Sequence, residues 1–323
     1  MDFFSHLLIG VLTSLVTLNK LAPEYIILAA IMAILPDMDL FLIPVQKLTK
    51  SYYLSHRGGS HSYIIGLMIS PIIAILFTEI YGGPFFMYLF IGFMFYSLHV
   101  TLDLITTSKI PIFYPISKKE YRYNVERAVN PLLMLTSFLV IHFFISLHNQ
   151  EVPWIVQFTF RNVFFLLYYF YLGYKLLTKL WIQSQLPKDS FYIPGIFPLV
   201  FYIYNVHNQS DKITFRLIKG VQLIPLKVQI LEYIIETHSN KMNYYEKARA
   251  ISKNYRFFSK WEAVFPIIKE NEEKIVVILF LAESYSIGVA YFLKVQFDKN
   301  SGEFLKKSDG FYSIKRLEKK LLT

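Results

Sequence analysis

The chain has 323 residues, 54% hydrophobic and 18% aromatic, with a formal charge of +10; so apolar a composition excludes an ordinary soluble globular domain. It contains no cysteine, which excludes disulfides and thiolate-held zinc, so any metal must be bound through nitrogen and oxygen. Before residue 186 the basic residues fall mainly in short loops between apolar segments, and the tail at 315 to 320 is basic too, a distribution that suits anionic membrane lipid and gives no reason to expect nucleic acid.

Six apolar segments follow one another at residues 3 to 19, 25 to 45, 62 to 81, 85 to 105, 130 to 148 and 154 to 181, each near the ~20 residues that cross a bilayer. The first is the shortest. It resembles a signal peptide in its apolar run but lacks a basic start and a small-residue cleavage site, so it is expected to remain as a span. The expected fold is mainly α: a polytopic transmembrane helical bundle of about six spans over residues 1–185, followed by a C-terminal α+β soluble domain over residues 186–323. Lys47, Lys50 and Arg57 follow the second segment, and Lys109, Lys118, Lys119, Arg122 and Arg127 follow the fourth, whereas the intervening connections hold only Lys20. The positive-inside rule then puts both termini in the cytoplasm and the chain in the inner or plasma membrane.

In the more polar C-terminal part, residues 197 to 206 and 212 to 219 read as strands joined by the turn Asn208-Gln209-Ser210-Asp211. Residues 244 to 255 have helical charge spacing, residues 274 to 281 and 288 to 297 are rich in β-branched and aromatic types, and Asn300-Ser301-Gly302 is a turn. The basic stretch 315 to 320 is expected to be helical.

Against this apolar background, ionisable groups at segment ends need a reason. His6, Asp37, Asp39, His56, His61, His99 and Asp103 all fall at segment ends that the charge-derived topology places on one side of the membrane. His99 and Asp103 are four apart on a helix and share a face; the bland alternative is a buried hydrogen-bonded pair. In Leu35-Pro36-Asp37-Met38-Asp39, the proline disturbs the helical ladder and lets two carboxylates turn toward a common point. Two such groups repel unless a cation lies between them. In His56-Arg57-Gly58-Gly59-Ser60-His61-Ser62, the glycines let the backbone fold tightly so that the imidazoles converge. Arg57 offers a planar cation to phosphate, and Ser60 is either a substrate contact or the N-cap of the third span. His6 alone says little, though Gly10 one turn on permits close helix packing beside it. His142, His148, His207 and His238 are read as structural.

An N-terminal histidine, LPDxD, HRGxxHS, and HxxxD followed by Thr106 and Tyr114-Pro115 together resemble the YdjM-like family of membrane-bound metal-dependent hydrolases, over about residues 1 to 120. Residues 194 to 206 loosely resemble the C-terminal extension of some members, without the tryptophan usual there. The resemblance implies a divalent-metal hydrolase embedded in the membrane, distantly similar to zinc-dependent phospholipase C and to nucleases with comparable His/Asp shells.

The seven His and Asp side chains can supply ligands for one or two divalent ions; a His/carboxylate shell suits Zn first, with Mn or Fe as alternatives. The leading expectation is hydrolysis of a phosphoester or related ester, possible substrates including lipid, by metal-activated water, with Arg57 and Ser60 on the substrate. One rival is a divalent metal or proton transporter, though transporters place ionisable groups near the midplane and repeat their halves. Another is a phosphatidic-acid-phosphatase type of lipid phosphatase, against which Phe93 stands where that chemistry expects arginine. A metal-stapled scaffold for the C-terminal domain is the non-catalytic alternative.

Overall fold

A computed structural model describes residues 1–49, 51, 54–150, 152–222, 227–285 and 289–313, arranged as two compact units, Met1–Leu177 and Thr178–Thr323. The expected helix at 315 to 320 lies outside the described residues.

The first unit is helical. Helix α1 (Phe3–Thr17) is capped by Asp2, whose carboxylate accepts from Ser5 N at 3.0 Å and from Ser5 Oγ at 2.7 Å. Helix α2 (Pro23–Ile34) begins with proline at its first turn and runs directly into a 3-10 helix, Leu35–Leu42. A short α3 (Ile43–Thr49) follows. Helix α4 (Tyr63–Tyr81) ends at Gly82 and Gly83, both at positive φ (78° and 85°), where a side chain would be strained. It is followed by α5 (Phe85–Leu104), α6 (Pro131–Asn149) and the long α7 (Trp154–Ser184). Asn130 caps α6 by accepting from Leu132 N at 3.0 Å.

Among the described residues, five helical stretches, Pro23–Leu42, Tyr63–Tyr81, Phe85–Leu104, Pro131–Asn149 and Trp154–Ser184, are long and apolar enough to cross a membrane. The first apolar segment behaves differently from a full span. Its helix has 15 residues, about 22 Å at 1.5 Å per residue, short of a ~30 Å hydrocarbon core. It is nonetheless deeply packed, with Leu8, Ile9 and Leu12 at most 2% exposed. Gly10 makes this possible: a β-carbon there would lie 2.4 Å from Ala33 Cβ on α2.

One buried ion pair in this unit escaped the sequence reading. Lys175 on α7 is fully buried, its Nζ 3.6 Å from Glu126 Oε2, and Tyr171 donates its hydroxyl to the same carboxylate. Glu126 Oε1 accepts from Arg127 N at 2.7 Å and Asn130 Nδ2 at 3.1 Å, which ties the segment between α5 and α6 to the last helix. Lys175→Met should therefore destabilise the unit by about 3–5 kcal/mol, the usual cost of leaving a buried charge unpaired. The double variant Lys175→Met/Glu126→Gln should recover most of that loss. Thermal unfolding of the purified protein in detergent checks both, and equal melting for the two variants would refute it.

The second unit holds two antiparallel four-stranded sheets. The first has the order β1-β2-β3-β4, with strands Ser190–Pro194, Val200–Asn208, Lys212–Val221 and Lys227–Glu236; the second has β5-β6-β7-β8, with strands Val264–Glu270, Lys274–Leu281, Val289–Asp298 and Phe304–Ser313. Helix α8 (Asn240–Ser252) and the short α9 (Arg256–Lys260) lie between the sheets in the chain, and α10 (Ala282–Tyr285) follows β6. Phe215 and Leu217 of β3, Tyr244 and Ala248 of α8, and Phe265, Val277 and Leu293 of the second sheet share one core. Across it, Tyr204 donates to Val264 O at 2.5 Å and Tyr233 to Ile268 O at 2.8 Å.

The α+β expectation holds for this unit. The strand expected from residue 197 starts at Val200, because Gly195 N bonds Val200 O at 3.0 Å and closes a tight turn through Pro198. The turns at 208 to 211 and at 300 to 302 stand as read. Asp298 Oδ1 accepts from Asn300 N and Ser301 N in the second, and Gly302 has φ 69°.

Candidate metal centre

The start of α1, the end of α2, the start of α4 and the end of α5 meet, as the contacts among His6, Asp37, His61, His99 and Asp103 show. The 3-10 helix brings Asp37 and Asp39 there from α2, and residues 55 to 62 lead into α4. Ser62, not Ser60, is the N-cap of α4, its Oγ accepting from Ile64 N at 3.2 Å. The tight turn before it is also made differently from the expectation. Its left-handed residue is Arg57 itself, with φ 56°, while Gly58 N donates to Ser55 O at 2.7 Å and Gly58 O accepts from His61 N at 3.1 Å. A non-glycine residue in that region is uncommon and costs backbone energy that its contacts must offset.

Four side chains converge. One ligand atom from each of Asp37, His61, His99 and Asp103 lies within 4.8 Å of the others, and all four residues are buried. His61 Nε2 is 3.1 Å from Asp103 Oδ2, 3.4 Å from Asp37 Oδ1 and 3.3 Å from His99 Nε2. His99 Nε2 is 3.7 Å from Asp37 Oδ1.

The outer nitrogens of both imidazoles are already committed. His99 Nδ1 donates to Ala33 O at 2.7 Å, a partner that can only accept. His61 Nδ1 faces Ser60 Oγ at 3.0 Å and Asp39 Oδ2 at 3.5 Å. With the Nδ1 protons held outward, both Nε2 lone pairs point inward at two carboxylates. Four acceptors facing one another repel in a buried space, and a divalent cation at their centre removes that repulsion. The donor set therefore fits a metal ion, held by two nitrogens and two oxygens.

The remaining expected residues surround this group rather than join it. Asp39 accepts from Ser60 Oγ at 2.5 Å, His56 Nδ1 at 2.7 Å and Arg57 N at 3.1 Å, so it orients the loop and His61. The side chain of His56 is 30% exposed, unlike those of the four. His6 stacks on His99 with ring centroids 3.7 Å apart, and its Nε2 lies 3.2 Å from Asp103 Oδ1. Ser60 faces Asp39, and its carbonyl accepts from the hydroxyl of the buried Tyr96.

Arg57 turns inward. Its Nη2 donates to Met1 O at 2.6 Å, Ala128 O at 3.2 Å and Asp103 Oδ1 at 3.3 Å, while Nε lies 3.2 Å from Asp103 Oδ2. The nitrogen of Met1 also contacts Asp103 Oδ1. Burial pulls the Arg57 pKa down from its ordinary value, and Asp37 and Asp39 push it back up. A guanidinium so engaged holds Asp103 in place.

The segment between α5 and α6 closes over the same end. Ser62 Oγ donates to Tyr114 O at 2.6 Å and also lies 3.1 Å from Ile112 O, which accepts from Tyr63 N at 3.1 Å. Sequence reasoning missed the Ala33 carbonyl, Ala128 and Glu126. Only Glu126, an acid within a basic connection, carried any signal in the sequence.

The model of a family described as YdjM inner membrane protein matches residues 1–182, more than half of the chain. No curated protein and no solved structure matches. With its five long apolar helices, this is a multi-pass membrane protein.

Proposed function

This chain belongs to the YdjM inner membrane protein family, and we propose that it is a membrane-embedded, metal-dependent hydrolase of a phosphoester or related ester. Its centre faces the cytoplasm, where the positive-inside rule also puts both termini. The observation that supports this reading most is the pair of inward Nε2 lone pairs on His61 and His99 meeting the carboxylates of Asp37 and Asp103.

A divalent cation held by these four residues, Zn before Mn or Fe, supplies Lewis acidity toward the ester oxygen and acidifies water to near-neutral pKa. The rest is the work of the chain. Asp39 and Ser60 keep His61 in the tautomer that presents Nε2, and Ala33 O does the same for His99. Arg57 holds Asp103 so that one carboxylate oxygen faces His61. His56, partly exposed and paired through Nδ1 with Asp39, is the imidazole placed to carry a proton to the leaving alkoxide. His6, stacked on His99 beside Asp103, is a further ligand if a second ion binds. The transporter alternative needs ionisable groups at mid-membrane, whereas these lie where helices begin and end.

The test is hydrolysis of bis(p-nitrophenyl) phosphate by purified protein, with elemental analysis of the same sample. Turnover should vanish with chelation and return with Zn or Mn. His56→Gln should keep the metal and lose roughly 10²- to 10⁴-fold in kcat. Full metal content with no ester hydrolysis, together with metal uptake into proteoliposomes, would instead favour the transporter.

A further inference from the structure

Resting on the hydrolase reading above, we infer that the substrate is an amphiphile. Its phosphate or ester head reaches the metal centre while its hydrocarbon chain lies along Leu40 and Leu42. The pitch of the 3-10 helix Leu35–Leu42 carries this. At three residues per turn, side chains three apart eclipse one another. Asp37 and Leu40 therefore share one stripe, and Asp39 and Leu42 a second, each leucine about 6 Å along the axis from its carboxylate. Met38 and Phe41 form the third stripe, which points away from both carboxylates.

Asp37 and Asp39 are each 4% exposed, whereas Leu40 and Leu42 are 43% and 41% exposed. Two stripes thus pass from buried negative charge to open hydrocarbon within one turn. His56, partly exposed and bonded to Asp39, stands beside that transition. The apolar stretch Pro23–Leu42 ends here, so the leucines lie where a bilayer's hydrocarbon meets the head-group layer. A water-soluble ester gains nothing from these side chains. An alkyl chain covers them and stays in the bilayer while its head group reaches the donors.

The experiment measures binding rather than turnover. Metal-loaded full-length protein in phosphatidylcholine nanodiscs is titrated with ethylphosphonate and with dodecylphosphonate, each buried methylene being worth roughly fourfold in affinity. Wild type should bind the long chain at least about tenfold more tightly than Leu40→Asn/Leu42→Asn does, with ethylphosphonate affinity equal in both. Both proteins share the same nanodisc partitioning, so the difference reports the stripe. Phe41→Asn, equally polar but on the opposite stripe, should keep the wild-type preference.

A chain-length gain that survives Leu40→Asn/Leu42→Asn, or that Phe41→Asn abolishes equally, overturns the inference. So does equal binding of the two phosphonates by wild type. If neither binds a centre whose metal content is full, the phosphoester reading itself fails, an outcome distinct from binding without chain preference.

Discussion

Asp37→Ala is expected to empty the metal centre, while Asp39→Ala, two residues away, leaves it occupied but weakened. Asp37 offers a carboxylate oxygen to the group formed with His61, His99 and Asp103. Asp39 instead reaches the back of His61, the side chains of His56 and Ser60 and the backbone N–H of Arg57. Removing an orienting partner of this kind costs roughly 10- to 100-fold in metal affinity, and removing one of four ligands costs more. Elemental analysis of these two variants and Asp103→Ala beside wild type should give near-zero metal for Asp37→Ala and for Asp103→Ala. Asp39→Ala should load when metal is added and lose it under mild chelation. Turnover should follow metal content in all three. A protein that loses its metal with Asp39→Ala and keeps it with Asp37→Ala would move the centre to the other face of His61.

Arg57→Gly should cost the helical unit stability on the same scale as Lys175→Met. The guanidinium is buried and engages both oxygens of Asp103 and the carbonyls of Met1 and Ala128. Without it, Asp103 keeps a buried charge and loses the guanidinium that reaches both of its oxygens, at a cost of about 3–5 kcal/mol. Glycine is the informative replacement because it accepts the φ of 56°, so the loss reports the missing guanidinium rather than backbone strain. Bound metal neutralises the same carboxylate. The deficit should therefore be large in chelated protein and clearly smaller after metal loading, read as the melting temperature of each form. Equal melting of wild type and Arg57→Gly without metal would show that the guanidinium does not hold Asp103.

How much of this was legible depends on what kind of signal each residue left. His61, His99, Asp37 and Asp103 stood out because ionisable groups at the ends of apolar segments are costly, and all four meet in space. Arg57 stood out as a planar cation between the two histidines of one motif, which suggested a ligand for phosphate. Only three dimensions reveal that carbonyls and Asp103 surround it. His56 and His61 share one motif, and nothing in their spacing foretold that one would be buried and the other partly open. Lys175 was hidden by its setting: a lysine near the end of a long apolar helix usually snorkels, and its partner Glu126 is 49 residues earlier in the chain. In the second unit, β6 and β7 were legible from their β-branched runs. Strand β8 was not, because its residues are almost all exposed and carry no alternation; its place comes from pairing with β7.

Ser62 caps α4 and at the same time holds the carbonyls of the segment that covers the centre. One hydroxyl thus joins a helix terminus to a roof. Lifting that roof would bare the first turn of α4, so the two open together or not at all.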